Sequence, residues 1–200
     1  MPKSDTKKKL GVIGAAKKVK NEKKDCSVLR DPMFVGMDPS YNGFAIVVLD
    51  KDANIIEQRV FGSISKEVED RLIELETEYK FVCNIMCLHS AYIEGPSYAS
   101  NGAFVLQMGA LHYMIRLMLK RAKIDFKVIA PGTLKKFVTG NGRAKKNLML
   151  LNVYKRWEVE FDNDNLADAY SLARMALEGY QNGNQQVSEQ DSEGTGDKKK

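Results

Sequence analysis

The distribution of apolar and polar residues predicts three strands at the start of the fold. Apolar runs at 34–38, 43–49 and 55–61 follow one another with short polar connections. Short connections of this kind join antiparallel strands. The third run mixes polar and apolar positions, which is typical of a strand at the edge of a sheet. The pattern therefore predicts an antiparallel meander of three strands.

After this meander the apolar residues recur at helical spacing. Positions 65–88 predict one long helix, with Ser65 as its N-cap. Two more strands, at 91–94 and 126–129, alternate with helices that the pattern places at 101–123, 131–138, 144–157 and 166–177. Strands that alternate with helices enter a sheet through crossover connections. We therefore predict an α/β fold in which a five-stranded mixed sheet, three antiparallel strands followed by crossovers, is flanked by helices.

Composition divides the chain into three parts. Residues 1–30 are rich in lysine and hold few apolar side chains, so we expect a basic disordered arm. Residues 181–200 are mostly polar and small, and we expect a disordered polar tail. Residues 31–180, about 150 in all, suffice for one domain with its own core.

The charge and the cysteines narrow the range of functions. A formal net charge of +5 favours polyanionic partners such as DNA, RNA or an anionic surface. The three cysteines form no disulfide framework or zinc motif, which favours buried thiols in a reducing compartment. No apolar run approaches the roughly 18 residues that a membrane span requires. We therefore expect an intracellular, cytoplasmic protein without a membrane partner.

Four acidic side chains stand where a metal-dependent nuclease places its ligands. Asp38 ends the first strand, Glu94 ends the fourth, and Asp164 and Asp168 lie near the start of the last helix. Asp164 and Asn165 can share a helix face with Asp168. Two hard cations about 3.5–4 Å apart promote phosphodiester hydrolysis, and they prefer oxygen ligands. The pattern predicts a site for two Mg²⁺ or Mn²⁺ ions.

Three of these residues also have a structural explanation. Asp38 precedes a proline and could start a turn, Glu94 could be a solvated strand end, and Asp164 could cap a helix. Asp168 lies in a largely apolar helix, where an unpaired carboxylate is costly. The four residues together favour the metal site over separate structural explanations.

Four motifs in order carry a family resemblance. Three of them, 35–40 (VGMDPS), 92–94 (YIE) and 167–173 (ADAYSLA), contain Asp38, Glu94 and Asp168. The fourth, 135–146 (KKFVTGNGRAKK), has lysines at both ends and two glycines between them. Together they resemble the RuvC-type Holliday-junction resolvases of the RNase H-like (retroviral integrase) superfamily. The resemblance extends from residue 33 to about residue 176.

This resemblance implies an RNase H-like fold and a divalent-metal-dependent endodeoxyribonuclease. Such an enzyme resolves Holliday junctions and other branched DNA by paired nicks during recombination or replication, and acts as a homodimer. Its metal ligands and catalytic residues would be Asp38, Glu94 and Asp168, with Asp164 or Asn165. The residues expected to contact DNA are Lys135, Lys136, Arg143, Lys145, Lys146 and Tyr98. The turn at Gly140 and Gly142 would allow the backbone to approach phosphates closely.

Some alternatives stay open. The family commonly has an aspartate at the position of Asn165, so either Asp164 takes its place or Asn165 is a neutral ligand. A helix face with Met108, Leu111, Met114 and Met118 could form the dimer interface or belong to the core. An RNase H-like nuclease without junction preference and a catalytically weak branched-DNA-binding protein are the alternative functions. The departures from the bacterial pattern suggest a phage or viral member, acting in the host cytoplasm.

Overall fold

A computed structural model of the chain describes residues 31–85, 88–96 and 102–193. Its five strands are β1 (Met33–Asp38), β2 (Phe44–Leu49), β3 (Ile55–Phe61), β4 (Leu88–Glu94) and β5 (Asp125–Ile129). They form one sheet in the order β3-β2-β1-β4-β5. The pairs β1–β2 and β2–β3 are antiparallel, whereas β1–β4 and β4–β5 are parallel. The predicted α/β class and the mixed five-stranded sheet are therefore confirmed.

Helices cover both faces of this sheet. They are α1 (Val68–Ile85), α2 (Gly102–Arg121), α3 (Pro131–Thr139), α4 (Lys146–Trp157) and α5 (Asp164–Glu193). One apolar cluster joins a face of the sheet to α1 and α2, and a second joins the other face to α3, α4 and α5. Because side chains alternate along a strand, β1 contributes Val35 and Met37 to the first cluster and Phe34 to the second. None of the helices in the described ranges is long and apolar enough to cross a membrane.

Two helices differ in extent from the sequence prediction. Helix α1 begins at Val68, and the Glu67 carbonyl accepts its first hydrogen bond, from the Arg71 N–H. Ser65 is therefore not the N-cap, and its hydroxyl donates to the Glu74 carboxylate. Helix α5 has 30 residues and continues to Glu193. The polar tail predicted to be disordered from residue 181 is therefore helical as far as Glu193, because a polar composition that cannot build a core does not by itself prevent helix formation.

The last helix lies unusually close to the central strand. A Cβ atom on Gly36 would lie 1.8 Å from the Ala169 carbonyl oxygen and 2.5 Å from the Ala173 nitrogen. Glycine at this point of β1 therefore allows the backbone of α5 to rest directly on the sheet. Gly36 is two residues before Asp38, and Ala169 follows Asp168. This contact therefore fixes the distance between α5 and the sheet at the level of Asp38 and Asp168.

Candidate metal centre

Three carboxylates from three elements meet at one edge of the sheet. Asp38 ends β1 and Glu94 ends the neighbouring strand β4, and because these strands are parallel their carboxyl ends lie side by side. Asp168 comes from the second turn of α5, the helix that packs on one face of the sheet beside these two strands. One oxygen from each of the three residues lies within 4.8 Å of the others. We call Asp38, Glu94 and Asp168 the carboxylate trio.

Burial and mutual repulsion make the trio costly in its ionised form. Burial raises the pKa of Asp38, whose side chain is 8% exposed. Burial, the charge of Asp38 and a hydrogen bond to Asp38 raise the pKa of Glu94 to about 9. Burial and the charges of Asp38 and Asp164 raise the pKa of Asp168 to about 7. A bound cation would offset both the cost of burying these charges and the repulsion between them.

The chemistry of these donors fits a hard divalent cation. The Oδ1 atom of Asp168 is buried and has no hydrogen-bond partner, so a lone pair is left for a ligand. The trio offers oxygen atoms alone, which suits Mg²⁺ or Mn²⁺ and excludes the sulfur-rich and imidazole-rich sets that zinc prefers. Three of the predicted ligands, Asp38, Glu94 and Asp168, therefore form a group that could hold a divalent cation, and the full two-ion site stays a prediction.

Asp164 stands beside the trio but is paired with a lysine. The Lys146 Nζ lies 2.5 Å from the Asp164 Oδ2. That ammonium group lowers the pKa of Asp164, and its charge also lowers the pKa of Asp38 and of Asp168. The charge of Asp164 in turn raises the pKa of Asp38 and of Asp168, so Asp164 and the trio influence one another's ionisation.

Asn165 faces a different partner. Its Nδ2 donates to the Gly43 carbonyl oxygen at 2.8 Å. Its backbone N–H donates to the Oδ1 of Asn163, whose carbonyl accepts from the Ala167 N–H. Asn163 is therefore the N-cap of α5, and the capping role considered for Asp164 is wrong. The run Asp-Asn-Asp-Asn at 162–165 contains four residues that favour N-caps, so the sequence could not choose among them.

The predicted basic residues all lie on α3, α4 and the turn between them. Lys135 is half-buried, and its charge partly offsets the rise in the pKa of Glu94 and of Asp168. The others are exposed, and they are Lys136, Arg143, Lys145 and Lys146. The structure thus brings one residue of the basic motif, Lys146, into contact with Asp164 beside the carboxylate trio. Tyr98, the remaining predicted DNA contact, lies outside the described residues.

The two glycines of this motif have different tasks. Gly140 ends α3 in the left-handed conformation, with φ of 78°, which any other residue would adopt at a cost. A Cβ atom on Gly142 would lie 2.8 Å from the Gly132 carbonyl oxygen. The sequence analysis predicted that these glycines let the backbone approach a phosphate. At Gly142 the close neighbour is instead the carbonyl group of Gly132. This contact brings the end of the turn back to the start of α3.

The methionine-rich face of α2 belongs to the core. Leu111 and Met118 are buried, and Met108 and Met114 are partly buried against the same apolar cluster. The exposed apolar residues of this helix include Leu106, Tyr113 and Leu117, whose side chains are 77%, 63% and 54% exposed. Of the two alternatives that the sequence left open for this face, the structure shows the core, and a second apolar surface of α2 faces outward.

Known proteins share this combination of fold and motifs. The family model described as "Crossover junction endodeoxyribonuclease RuvC" matches residues 34–175. The RuvC of Petrotoga mobilis is 26% identical over 147 residues, which are 70% of this chain and 90% of that protein. The RuvC of Ehrlichia canis is 28% identical over 143 residues, which are 70% of this chain and 92% of that protein.

Solved structures agree on the fold. The Thermus thermophilus RuvC structure matches with a TM-score of 0.61 at 17% identity, over 70% of this chain and 90% of that one. The same protein in complex with a Holliday junction substrate matches with a TM-score of 0.63. The family match covers the sheet except for Met33, and it includes all three members of the carboxylate trio. The chain therefore belongs to the RuvC family of crossover junction endodeoxyribonucleases.

Proposed function

We propose that this chain is a divalent-metal-dependent endonuclease that resolves Holliday junctions and related branched DNA by paired nicks. The observation that carries the proposal is the buried carboxylate trio at the meeting ends of two parallel strands. Asp38, Glu94 and Asp168 would hold Mg²⁺ or Mn²⁺, and Asp164 would join them when Lys146 leaves it. Two such ions would supply an activated water and would stabilise charge on the phosphorus oxygens.

The basic residues around the trio would bind the DNA backbone. The charge of Lys135 acts on Glu94 and Asp168, and this residue would hold a phosphate against the site. Lys136, Arg143, Lys145 and Lys146 are exposed on the same α3–α4 segment and would contact flanking phosphates. Tyr98 is proposed to stack on an unpaired base at the branch point.

A homodimer would place two such sites on one junction. The exposed apolar side chains of Leu106, Tyr113 and Leu117 support a partner surface on α2, because their spacing puts them on one face of the helix and a contiguous exposed apolar patch marks an interaction site. Beside them lies a groove of 330 Å³ that Phe104, Met108 and other residues line. Leu106→Glu should convert a dimer into a monomer in sedimentation equilibrium, whereas the exposed Lys123→Glu on the adjacent turn should not.

The ends of the chain have a separate proposed role. Residues 31–180 would form the catalytic domain, and the lysines of residues 1–30 would add attraction to DNA that depends on salt. Deleting residues 1–30 should then reduce the slope of log affinity against log salt. An unchanged slope would refute the role of this arm without affecting the proposed catalytic domain.

Cleavage of matched DNA substrates tests the proposed function. A labelled four-way junction and a linear duplex of the same sequence are incubated with Mg²⁺ or Mn²⁺, or with chelator. We expect symmetric nicks in the junction alone, in the presence of metal, and their loss in Asp38→Asn. Equal cutting of both substrates would indicate a nuclease without junction preference. Tight junction binding without nicks would indicate a branched-DNA-binding protein that lacks the chemistry.

A further inference from the structure

The side chain of Asn165 connects α5 to the strand that follows Asp38. Its Nδ2 lies 2.8 Å from the Gly43 carbonyl oxygen, a contact between residues 122 positions apart in the sequence. Its backbone N–H is bound by the Asn163 side chain, so both its main chain and its side chain are fixed. Asp38 and Gly43 lie at the two ends of the short β1–β2 connection. The contact therefore anchors the helix to the segment that carries Asp38.

Gly43 provides the space for this amide. A Cβ atom on Gly43 would lie 2.7 Å from the Asn165 Nδ2, which is closer than real Cβ contacts come. Gly43 is buried, and its φ lies outside the left-handed region. Space rather than backbone conformation is thus the reason for glycine here. Gly43 and Asn165 form one packed unit, which we call the Asn165–Gly43 clasp.

The direction of Asp168 depends on how α5 is held. Asp168 follows Asn165 by three residues and lies on the next turn of the helix. Its buried Oδ1 has no hydrogen-bond partner that could fix the carboxylate directly. The helix backbone that carries Asp168 rests on Gly36 and is tied to Gly43 through Asn165. The clasp is the polar one of these two anchors.

We infer that Asn165 is a positioning residue and not a metal ligand, because its amide holds α5 in the register that directs Asp168 toward Asp38 and Glu94. The inference rests on the proposed metal centre. In this chain, an aspartate that kept the orientation of the Asn165 side chain would put a carboxylate oxygen against the Gly43 carbonyl, and two acceptors without a hydrogen between them repel. An amide both fits the space and donates the bond.

The direction in which Asn165→Asp changes Mn²⁺ affinity separates a positioning role from a ligand role. Mn²⁺ affinity is measured by electron paramagnetic resonance for the wild type and for Asn165→Asp, in the absence of DNA. A positioning role predicts at least about tenfold weaker Mn²⁺ binding, as when a group that orients metal ligands is lost. A ligand role predicts tighter binding, since a carboxylate replaces an amide, and that result would overturn the inference. In single-turnover nicking, Asn165→Asp should slow cleavage while the junction Kd stays within about twofold.

Asn163→Asp is the matched control for charge. It adds the same negative charge at the same end of α5 and keeps a side chain suited to the N-cap. Its Mn²⁺ affinity should not fall below that of the wild type. If it falls as far as that of Asn165→Asp, the charge and not the clasp is responsible, and the inference is overturned.

A double-mutant cycle decides the matter even if Asn165→Asp fails to fold. Asn165→Ala and Gly43→Ala each break the clasp, so their effects on Mn²⁺ affinity should not add in the double variant. Additive effects would overturn the inference. The failure of the proposed function looks different, because a wild type that binds Mn²⁺ but never nicks a junction leaves both Mn²⁺ tests valid.

Discussion

The Lys146 ammonium group lies 2.5 Å from the Asp164 carboxylate, at the border between the basic turn and the carboxylate trio. Lys146 is 74% exposed on its side chain, so the pair adds less than about 1 kcal/mol to stability. Its position matters more than its strength. A phosphate that attracts Lys146 would release Asp164 toward the metal, and DNA binding would then be coupled to metal binding.

Lys146→Gln tests this coupling. We expect Mn²⁺ affinity without DNA to rise roughly threefold to tenfold, because a competing positive charge worth about 1 kcal/mol is removed. Junction binding should weaken at the same time. Lys145 is the exposed neighbour of Lys146 at the N-cap position of α4. Lys145→Gln removes the same charge and should leave Mn²⁺ affinity nearly unchanged. Equal effects of the two substitutions would show that the Asp164 contact has no special role.

Gly36→Ala tests whether the close contact of α5 with β1 shapes the site. The new methyl group would meet the Ala169 carbonyl at 1.8 Å, so the helix must move away from the sheet. We expect a loss of about 3 kcal/mol in the free energy of unfolding and a large loss of nicking. Gly183→Ala, on the same helix but in open space, should instead stabilise the protein by up to about 1 kcal/mol. Urea unfolding of both variants provides the comparison.

The carboxylate trio and the Asn165–Gly43 contact show what could and what could not be predicted from the sequence. Asp38 and Glu94 could be predicted because each ends an apolar run that predicts a strand, and parallel strands bring such ends together. Asp168 could be predicted because a carboxylate within an apolar helix needs a reason. The contact of Asn165 with Gly43 could not, since it joins distant residues and depends on the exact height of α5.

The surface of α2 shows a second limit. This helix carries apolar residues around most of its circumference, with Leu111 and Ile115 inward and Leu106 and Leu117 outward. Periodicity reveals an apolar face but does not say which of two faces meets the sheet. The extent of α5 was missed for a related reason, because its last part is polar and shows no apolar pattern that would mark a helix.

Metal binding should release protons. In the folded, metal-free protein Glu94 and Asp168 have pKa values raised to about 9 and about 7, from ordinary values of 4.5 and 3.8. Because the folded state holds these protons longer than the unfolded chain, both groups make the metal-free protein less stable as pH rises from about 4 toward 9. A metal ion at pH 8 must displace the Glu94 proton.

Titration calorimetry in two buffers of different ionisation enthalpy measures that proton. We expect the apparent enthalpy of Mn²⁺ binding at pH 8 to change with the buffer by an amount that corresponds to about one proton. Glu94→Gln should abolish most of this difference. A wild-type enthalpy that is the same in both buffers would mean that Glu94 is already ionised and would contradict the electrostatic description of the trio.

His112 should make stability depend on pH in the opposite direction. It is 5% exposed on α2, its Nδ1 has no hydrogen-bond partner, and burial together with Arg116 lowers its pKa to about 4. The unfolded chain takes up this proton near 6.5, so stability is lost as pH falls from about 6.5 toward 4. Relative to His112→Gln, the wild type should lose roughly 2 kcal/mol between pH 7.5 and pH 5. Parallel pH profiles for the two proteins would refute this assignment.

The most direct test of the central claim is the anomalous scattering of Mn²⁺ in crystals of the wild-type protein. The account predicts a peak bound by oxygen atoms of Asp38, Glu94 and Asp168, at the roughly 2.0–2.2 Å typical of such small cations. The same peak should be lost in Asp38→Asn crystals grown under identical conditions. A peak elsewhere, or a fully ordered trio that binds no ion at saturating Mn²⁺, would contradict the claim that these three carboxylates are a metal centre.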